Sequence, residues 1–152
     1  MGNNRTKALP TVEINGSKYS KIAERIKFLA DEHQYSITTD VEFLPELNSW
    51  KAKAYLTIQE DEDVFTYTGH AIEEIGSNDI NSTSALENAE TSAVGRACAF
   101  AGIGLTDEVA SAEEVAGAKE KFKEINNQAR KQTAKSAETN ALKKLTENGS
   151  KK

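Results

Sequence analysis

The stretch Trp50-Lys51-Ala52-Lys53-Ala54-Tyr55-Leu56-Thr57-Ile58 alternates from one residue to the next. Side chains of a strand point to opposite faces in turn, so Trp50, Ala52, Ala54, Leu56 and Ile58 share one face and Lys51, Lys53, Tyr55 and Thr57 the other. A helix would scatter both sets around its axis. The same period holds upstream, where Tyr35, Ile37, Thr39, Val41 and Phe43 fall on one side, and Pro45 with Asn48-Ser49 then breaks the chain. Downstream, Glu60-Asp61-Glu62-Asp63 is a hairpin tip held in water by its charge, and Val64 to Glu74 reads as a further strand. Three consecutive strands with short connections predict an antiparallel meander.

Helical spacing takes over on both sides of the meander. Leu9 to Ile14 reads as a short strand or extended arm, closed by a turn at Asn15-Gly16. Ser17 is a candidate cap for a helix to about Gln34, with Tyr19, Ile22, Ile26, Leu29 and Ala30 on its inner face and Lys18, Lys21, Arg25 and Lys27 largely outside. After a polar loop, Gly76 to Asn81, a second helix starts at Ser82 or Ser84 and runs to about Ala101. Its expected inner stripe is Leu86, Ala89, Ala93, Ala97 and Phe100, with Val94 and Cys98 beside it. Gly95 inside this helix costs about 1 kcal/mol against Ala, and small residues let a helix lie very close to a sheet. Gly102 and Gly104 end it. Ser111-Ala112-Glu113-Glu114 is a capping box for a third helix, with Val115, Ala118, Phe122 and Ile125 as its stripe, fraying beyond Asn126. The predicted class is α+β: helix, three-stranded antiparallel meander, long helix packed on the sheet, C-terminal helix. Residues 1–10 read as a disordered arm, 11–125 as one domain, and 126–152 as a basic polar tail, helical or disordered.

A hydrophobic share of 38% in 152 residues supplies one modest core. No apolar run approaches the roughly 20 residues of a membrane span, and the polar segment Met1 to Pro10 has no secretory h-region. The one cysteine, Cys98, can make no internal disulfide, which fits a reducing, cytoplasmic compartment. The net charge of −5 is uneven: residues 126–152 carry seven basic and two acidic side chains, hence +5, and the remaining residues −10. So acidic a body argues against non-specific duplex binding over a wide surface while permitting a local basic groove.

The chain holds no glycine-rich phosphate loop, no Cys-x-x-Cys and no His-Glu-x-x-His. Two histidines and one cysteine are too few for a His- or Cys-based metal site. His70, with Glu73 and Glu74 close in sequence, is the one candidate general base, but His70 and Glu73 point to opposite faces of a strand. His33 reads as a dipole contact at a helix end. Glu87, Asn88 and Glu90 form a polar helix face, and Arg96 in the alanine-rich helix is suited to a carboxylate or a phosphate. Lys51, Lys53 and Tyr55 share the outward strand face, with Phe65 and Tyr67 on the next strand and Lys21 and Arg25 on the first helix. Basic residues beside aromatics on a sheet follow a phosphate backbone while bases stack.

The segment Ser84-Ala-Leu-Glu-Asn-Ala-Glu-Thr-Ser-Ala-Val-Gly-Arg-Ala97, then Phe100-Ala-Gly-Ile-Gly104 and Ala110-Ser-Ala-Glu-Glu-Val115, preceded by Thr68-Gly-His-Ala71, resembles the phage single-strand annealing proteins of the Erf and Sak type. The resemblance covers about Val12 to Val115. It implies a helix packed across a curved three-stranded sheet, assembly into homo-oligomeric rings or filaments, and single-stranded DNA in a basic groove with its bases presented for pairing. It implies no enzyme activity, no cofactor and no nucleotide hydrolysis, and a single-strand-binding protein as a partner of the C-terminal region. On this reading Lys21, Arg25, Lys51, Lys53 and Arg96 contact phosphates, and Tyr55 or Tyr67 stacks on bases, in phage recombination or replication. Two other readings stand beside it: an interaction or regulatory protein whose acidic body docks a protein partner, and an enzyme built on His70.

Overall fold

The computed structural model describes residues 8–106 and 109–149, so most of the arm expected over residues 1–10 lies outside the described residues. The chain forms two compact units, Met1–Ala118 and Lys119–Lys152. The first opens with two strands, β1 (Thr11–Ile14) and β2 (Ser17–Ser20), then a helix, α1 (Ile22–Glu32). A meander follows, β3 (Gln34–Leu44), β4 (Ser49–Glu60) and β5 (Asp63–Glu74), then a helix, α2 (Asn81–Phe100), and the start of α3 (Ala112–Gly149), which from Lys119 onward makes up the second unit. The class is α+β as expected, with β4 central and antiparallel to both neighbours.

The expected helix from Ser17 is corrected at its start. Asn15 and Gly16 both take positive φ, 57° and 83°, the geometry of a two-residue hairpin turn whose twist matches that of the strands it joins. Ser17–Ser20 therefore folds back on Thr11–Ile14. Helix α1 begins at Ile22, whose backbone N–H is capped by Glu113 Oε2 at 3.3 Å rather than by its own N-cap, Lys21. Its buried face is Ile22, Arg25, Phe28 and Leu29. Ile26 is half-buried and Ala30 exposed, the reverse of the expectation.

The register of the meander follows the alternation read from the sequence. Ala52, Ala54, Leu56 and Ile58 are at most 1% exposed and lie against Ala89, Ala93, Ala97 and Cys98 of α2 and Phe28 and Leu29 of α1. The inner ridge of α2 is Ala85, Ala89, Ala93, Ala97 and Ala101, every fourth residue and all buried. Two larger residues expected there are displaced: Leu86 is half-buried and Phe100 is 57% exposed. The cause is separation. A Cβ added to Gly69 of β5 would lie 2.0 Å from the carbonyl oxygen of Ala93 and 2.6 Å from the amide of Ala97. The helix backbone rests on the strand backbone, and a phenyl ring has no room between them.

Polar side chains tie the same two layers. Thr39 Oγ donates to Glu90 at 2.6 Å. Asn81 donates to Glu73 at 2.7 Å and to Ser77 at 2.9 Å, and Asn88 donates to Asn81 at 2.7 Å. The capping box at α3 is reciprocal as predicted: Ser111 N–H donates to Glu114 at 2.8 Å and Glu114 N–H to Ser111 at 3.2 Å. Of the two states expected for the tail, helical or disordered, the described residues take the helix: α3 continues past Asn126 to Gly149 without fraying. No Gly or Pro interrupts residues 118–148, and Ala, Lys, Gln, Arg and Glu are strong helix formers.

Gly69→Ala sets a methyl group into the α2 backbone, and neither partner can yield without moving a whole element. A loss of about 3 kcal/mol is expected, the upper end for overpacking, read as a lower urea midpoint. Gly117→Ala, where an added Cβ meets nothing within 4 Å, is expected to leave the midpoint unchanged or raise it.

Candidate nucleic-acid interface

Both α1 and α2 pack on one face of the sheet, and neither covers the other face. Cross-strand register defines it row by row: Glu42–Lys51–Ile72, Asp40–Lys53–His70, Thr38–Tyr55–Thr68 and Ser36–Thr57–Thr66. Three of the seven residues singled out from the sequence, Lys51, Lys53 and Tyr55, meet on this open face. Lys53 Nζ lies 4.6 Å from the centre of the Tyr55 ring, a cation–π contact that holds the ammonium beside an aromatic surface. Lys51 forms an exposed ion pair with Glu42 at 3.1 Å, and Thr57 and Thr66 share a hydrogen bond at 3.2 Å.

The other four lie elsewhere. Tyr67 stands opposite Leu56 on the helix-covered face and packs against the core, so its expected place beside Tyr55 is corrected. The two-residue turn of the β4–β5 hairpin sets Tyr67 against an inward residue. Phe65, opposite Ile58, has the same facing. Lys21 is exposed at the start of α1, and Arg96 on α2 donates to Glu114 of α3 at 2.7 Å. Both belong to the helical layer and not to the open face. From the sequence His70 reads as a hydrogen-bonding or packing residue in preference to a base; register sets it beside Lys53 on the open face, while Glu73 points into the covered layer and is held by Asn81.

Arg25 is corrected most fully. It is completely buried. Its Nε donates to Ser20 Oγ at 3.0 Å and its Nη1 to Gly95 O at 2.6 Å, while Nη2 reaches Gly104 O at 3.4 Å and Ala110 O at 3.5 Å. One guanidinium thus binds β2, α2 and the segment that follows α2. Gly95 is required here, because a Cβ would lie 2.8 Å from Ile22 Cγ1, and the close approach brings the Gly95 carbonyl to Arg25. Burial draws the Arg25 pKa down, while the charges of Cys98, Glu114 and Glu113 act the other way. The spacing held a signal: Arg25 is three residues from Ile22 and from Phe28, and so lies on the apolar stripe itself.

Cys98 is also fully buried. Burial pushes its thiol up to about 11, with Arg25 and a backbone hydrogen bond opposing. It is a neutral core group at physiological pH and has no nucleophilic character. Among the described residues, no helix is long and apolar enough to cross a membrane. In comparison with known proteins, no family model, no curated protein and no solved structure matches the chain.

Two outcomes are expected from this cluster. Arg25→Ala leaves several buried carbonyls without a donor and removes a stem from the core, and should cost about 3 kcal/mol in chemical denaturation. Lys21→Ala, on the surface, should stay within about 0.5 kcal/mol of the parent. For Cys98, the unfolded thiol ionises near its ordinary value of 9.0 while the folded one stays protonated to about 11. Stability present below that window is therefore lost as the pH rises through it, by at most about 1.4 kcal/mol per unit. Denaturation at stepped pH should show a shallower decline in Cys98→Ala than in the parent; equal slopes would refute the assignment.

Proposed function

We propose that the chain binds single-stranded nucleic acid on the open face of its sheet, and serves strand annealing in recombination or replication without nucleotide hydrolysis. The observation that carries this reading is the convergence of Lys51, Lys53 and Tyr55 on the face opposite the one that α1 and α2 cover. None of the three has a core role. The ammonium and ring of Lys53 and Tyr55 form one platform, with hydroxyls of Thr38, Thr57, Thr66 and Thr68 and the imidazole of His70 around it. A base stacks on such a ring at about 1–3 kcal/mol, with little sequence preference, while cations follow the phosphates. The segment from Ser84 to Val115, which resembles the Erf and Sak type, supports the same reading from a different part of the chain. Assembly into a ring or filament, and a single-strand-binding protein as a further partner, belong to this proposal.

A specific observation favours a second reading, in which the acidic body docks a basic protein. Glu42 already pairs with Lys51 at 3.1 Å, and Asp40 stands beside Lys53 in register. Anisotropy titration of a labelled oligothymidylate over a range of salt separates the two. On the first reading, Lys51→Ala with Lys53→Ala lowers the salt slope by about 1.4, two phosphate contacts of about 0.7 each. Tyr55→Ala weakens binding about tenfold, within the range for one stacked base. Unchanged affinity and slope in all variants would remove the open face from nucleic-acid binding. No binding by the parent at low salt, with a basic protein co-purifying, would establish the second reading.

A further inference from the structure

His70 on β5 is exposed and stands directly opposite Lys53 on the open face. Opposed residues of an antiparallel pair have Cβ atoms about 4.5–5.5 Å apart, and diagonal ones about 7–8 Å. Its diagonal neighbours on β4 are Tyr55 and Lys51, which pair with Thr68 and Ile72. Among the described residues His70 has no hydrogen-bond or ion-pair partner. The other histidine, His33, has a structural place: its ring meets Phe28 edge-on with centroids 5.4 Å apart, and its Nε2 is buried. His70 therefore has the position of a site residue and no task in the fold.

We propose that His70 is a further nucleic-acid contact, a phosphate-binding cation whose charge is set by pH. The inference rests on the open face binding single-stranded nucleic acid, and adds to that reading a residue and a condition. A strand held on the Lys53–Tyr55 platform passes within reach of the imidazole. An imidazole changes charge between about pH 5 and 8, and both of its nitrogens donate once it is protonated. The charged groups on its face are few. Lys53 lies opposite and Lys51 diagonal, both on β4. Asp40 and Glu42 lie on β3 in the same two rows, one strand further off. Two strand spacings put Asp40 about 10 Å away, and Glu42 is engaged with Lys51 at 3.1 Å. Helices α1 and α2 cover the opposite face. The described residues thus give a protonated His70 two cations for neighbours and no anion in contact, and a phosphate laid along the row Asp40–Lys53–His70 supplies one.

Binding and protonation are then coupled. The polyanion stabilises the imidazolium, so binding takes up protons, and by reciprocity a fall in pH tightens binding. The sign follows from which form binds better: the charged one does, so affinity rises as pH falls. One proton limits the rise to about tenfold per pH unit. A phosphate contact made only by the charged form also adds about 0.7 to the salt slope of a single strand. Lys51 and Lys53 keep their charge throughout this range, as ammonium groups ordinarily do, and supply the contact that does not vary.

The test is anisotropy titration of a labelled oligothymidylate with the full chain at about pH 8 and about pH 6, spanning an imidazole's ordinary range, each over a series of salt concentrations. The parent should bind more tightly at the lower pH, with a salt slope steeper by up to about 0.7. His70→Gln should match the parent at the higher pH and show neither change. His70→Arg should hold at the higher pH the slope that the parent reaches at the lower. His33→Gln and Asp40→Asn should respond to pH as the parent does, which separates the other histidine and the nearby carboxylate from the effect. Calorimetry in two buffers of different ionisation enthalpy should find proton uptake on binding by the parent and none by His70→Gln. A parent indifferent to pH, or a pH response that survives in His70→Gln, overturns the proposal and leaves binding at the open face standing. So does a His70→Gln weakened equally at both pH values, which would make the imidazole a neutral stacking group. A parent that binds at neither pH removes the underlying reading as well.

Discussion

The backbone of α2 lies on the backbone of β5 at Gly69, and most of the molecule follows from that contact. Two backbones approach this closely only if neither presents a side chain at the crossing. The strand supplies glycine and the helix supplies alanine at every fourth position from Ala85 to Ala101. Dispersion over many short contacts replaces the burial of large side chains. The larger apolar groups of the core, Phe28, Leu29, Leu56 and Ile58, then gather beside this crossing and not within it. Phe100 is turned outward for the same reason.

A second constraint holds the helices to each other. Arg25 sits where β2, α2 and the segment after α2 converge, and donates to three backbone carbonyls and the Ser20 hydroxyl. No carboxylate lies in direct contact with it among the described hydrogen bonds and ion pairs, so its charge is dispersed over carbonyl dipoles, with Glu113 and Glu114 acting from further off. Glu113 reaches the first amide of α1, and Glu114 closes the capping box of α3 while accepting from Arg96. The start of α3 is thereby joined to α1 and α2 through two adjacent carboxylates.

These two devices place α1 and α2 together on one side of the sheet. The other side carries Lys51, Lys53, Tyr55 and His70 among hydroxyls. The proposed nucleic-acid surface is thus a by-product of where the helices are needed. Its charge is local: each lysine of β4 stands beside an acid of β3.

Local periodicity alone determined the meander, the two faces of β4 and the capping box at Ser111, because in each the deciding interactions join residues near one another in the chain or follow a strict period of two. The Asn15-Gly16 turn was equally legible, although its consequence, a hairpin where a helix was expected, depended on Ser17–Ser20 finding a partner strand. Tertiary structure alone decided the rest. Spacing sets Arg25 on the apolar stripe, but its partners Gly95, Gly104 and Ala110 come from distant segments, and Tyr67 reads as exposed until the hairpin register sets it opposite Leu56. Leu86 and Phe100 have the hydrophobicity of core residues, but the helix–sheet separation set by Gly69 excludes their volume. Charge, hydrophobicity and period are properties of the chain; available space and the supply of acceptors exist only once distant segments have met.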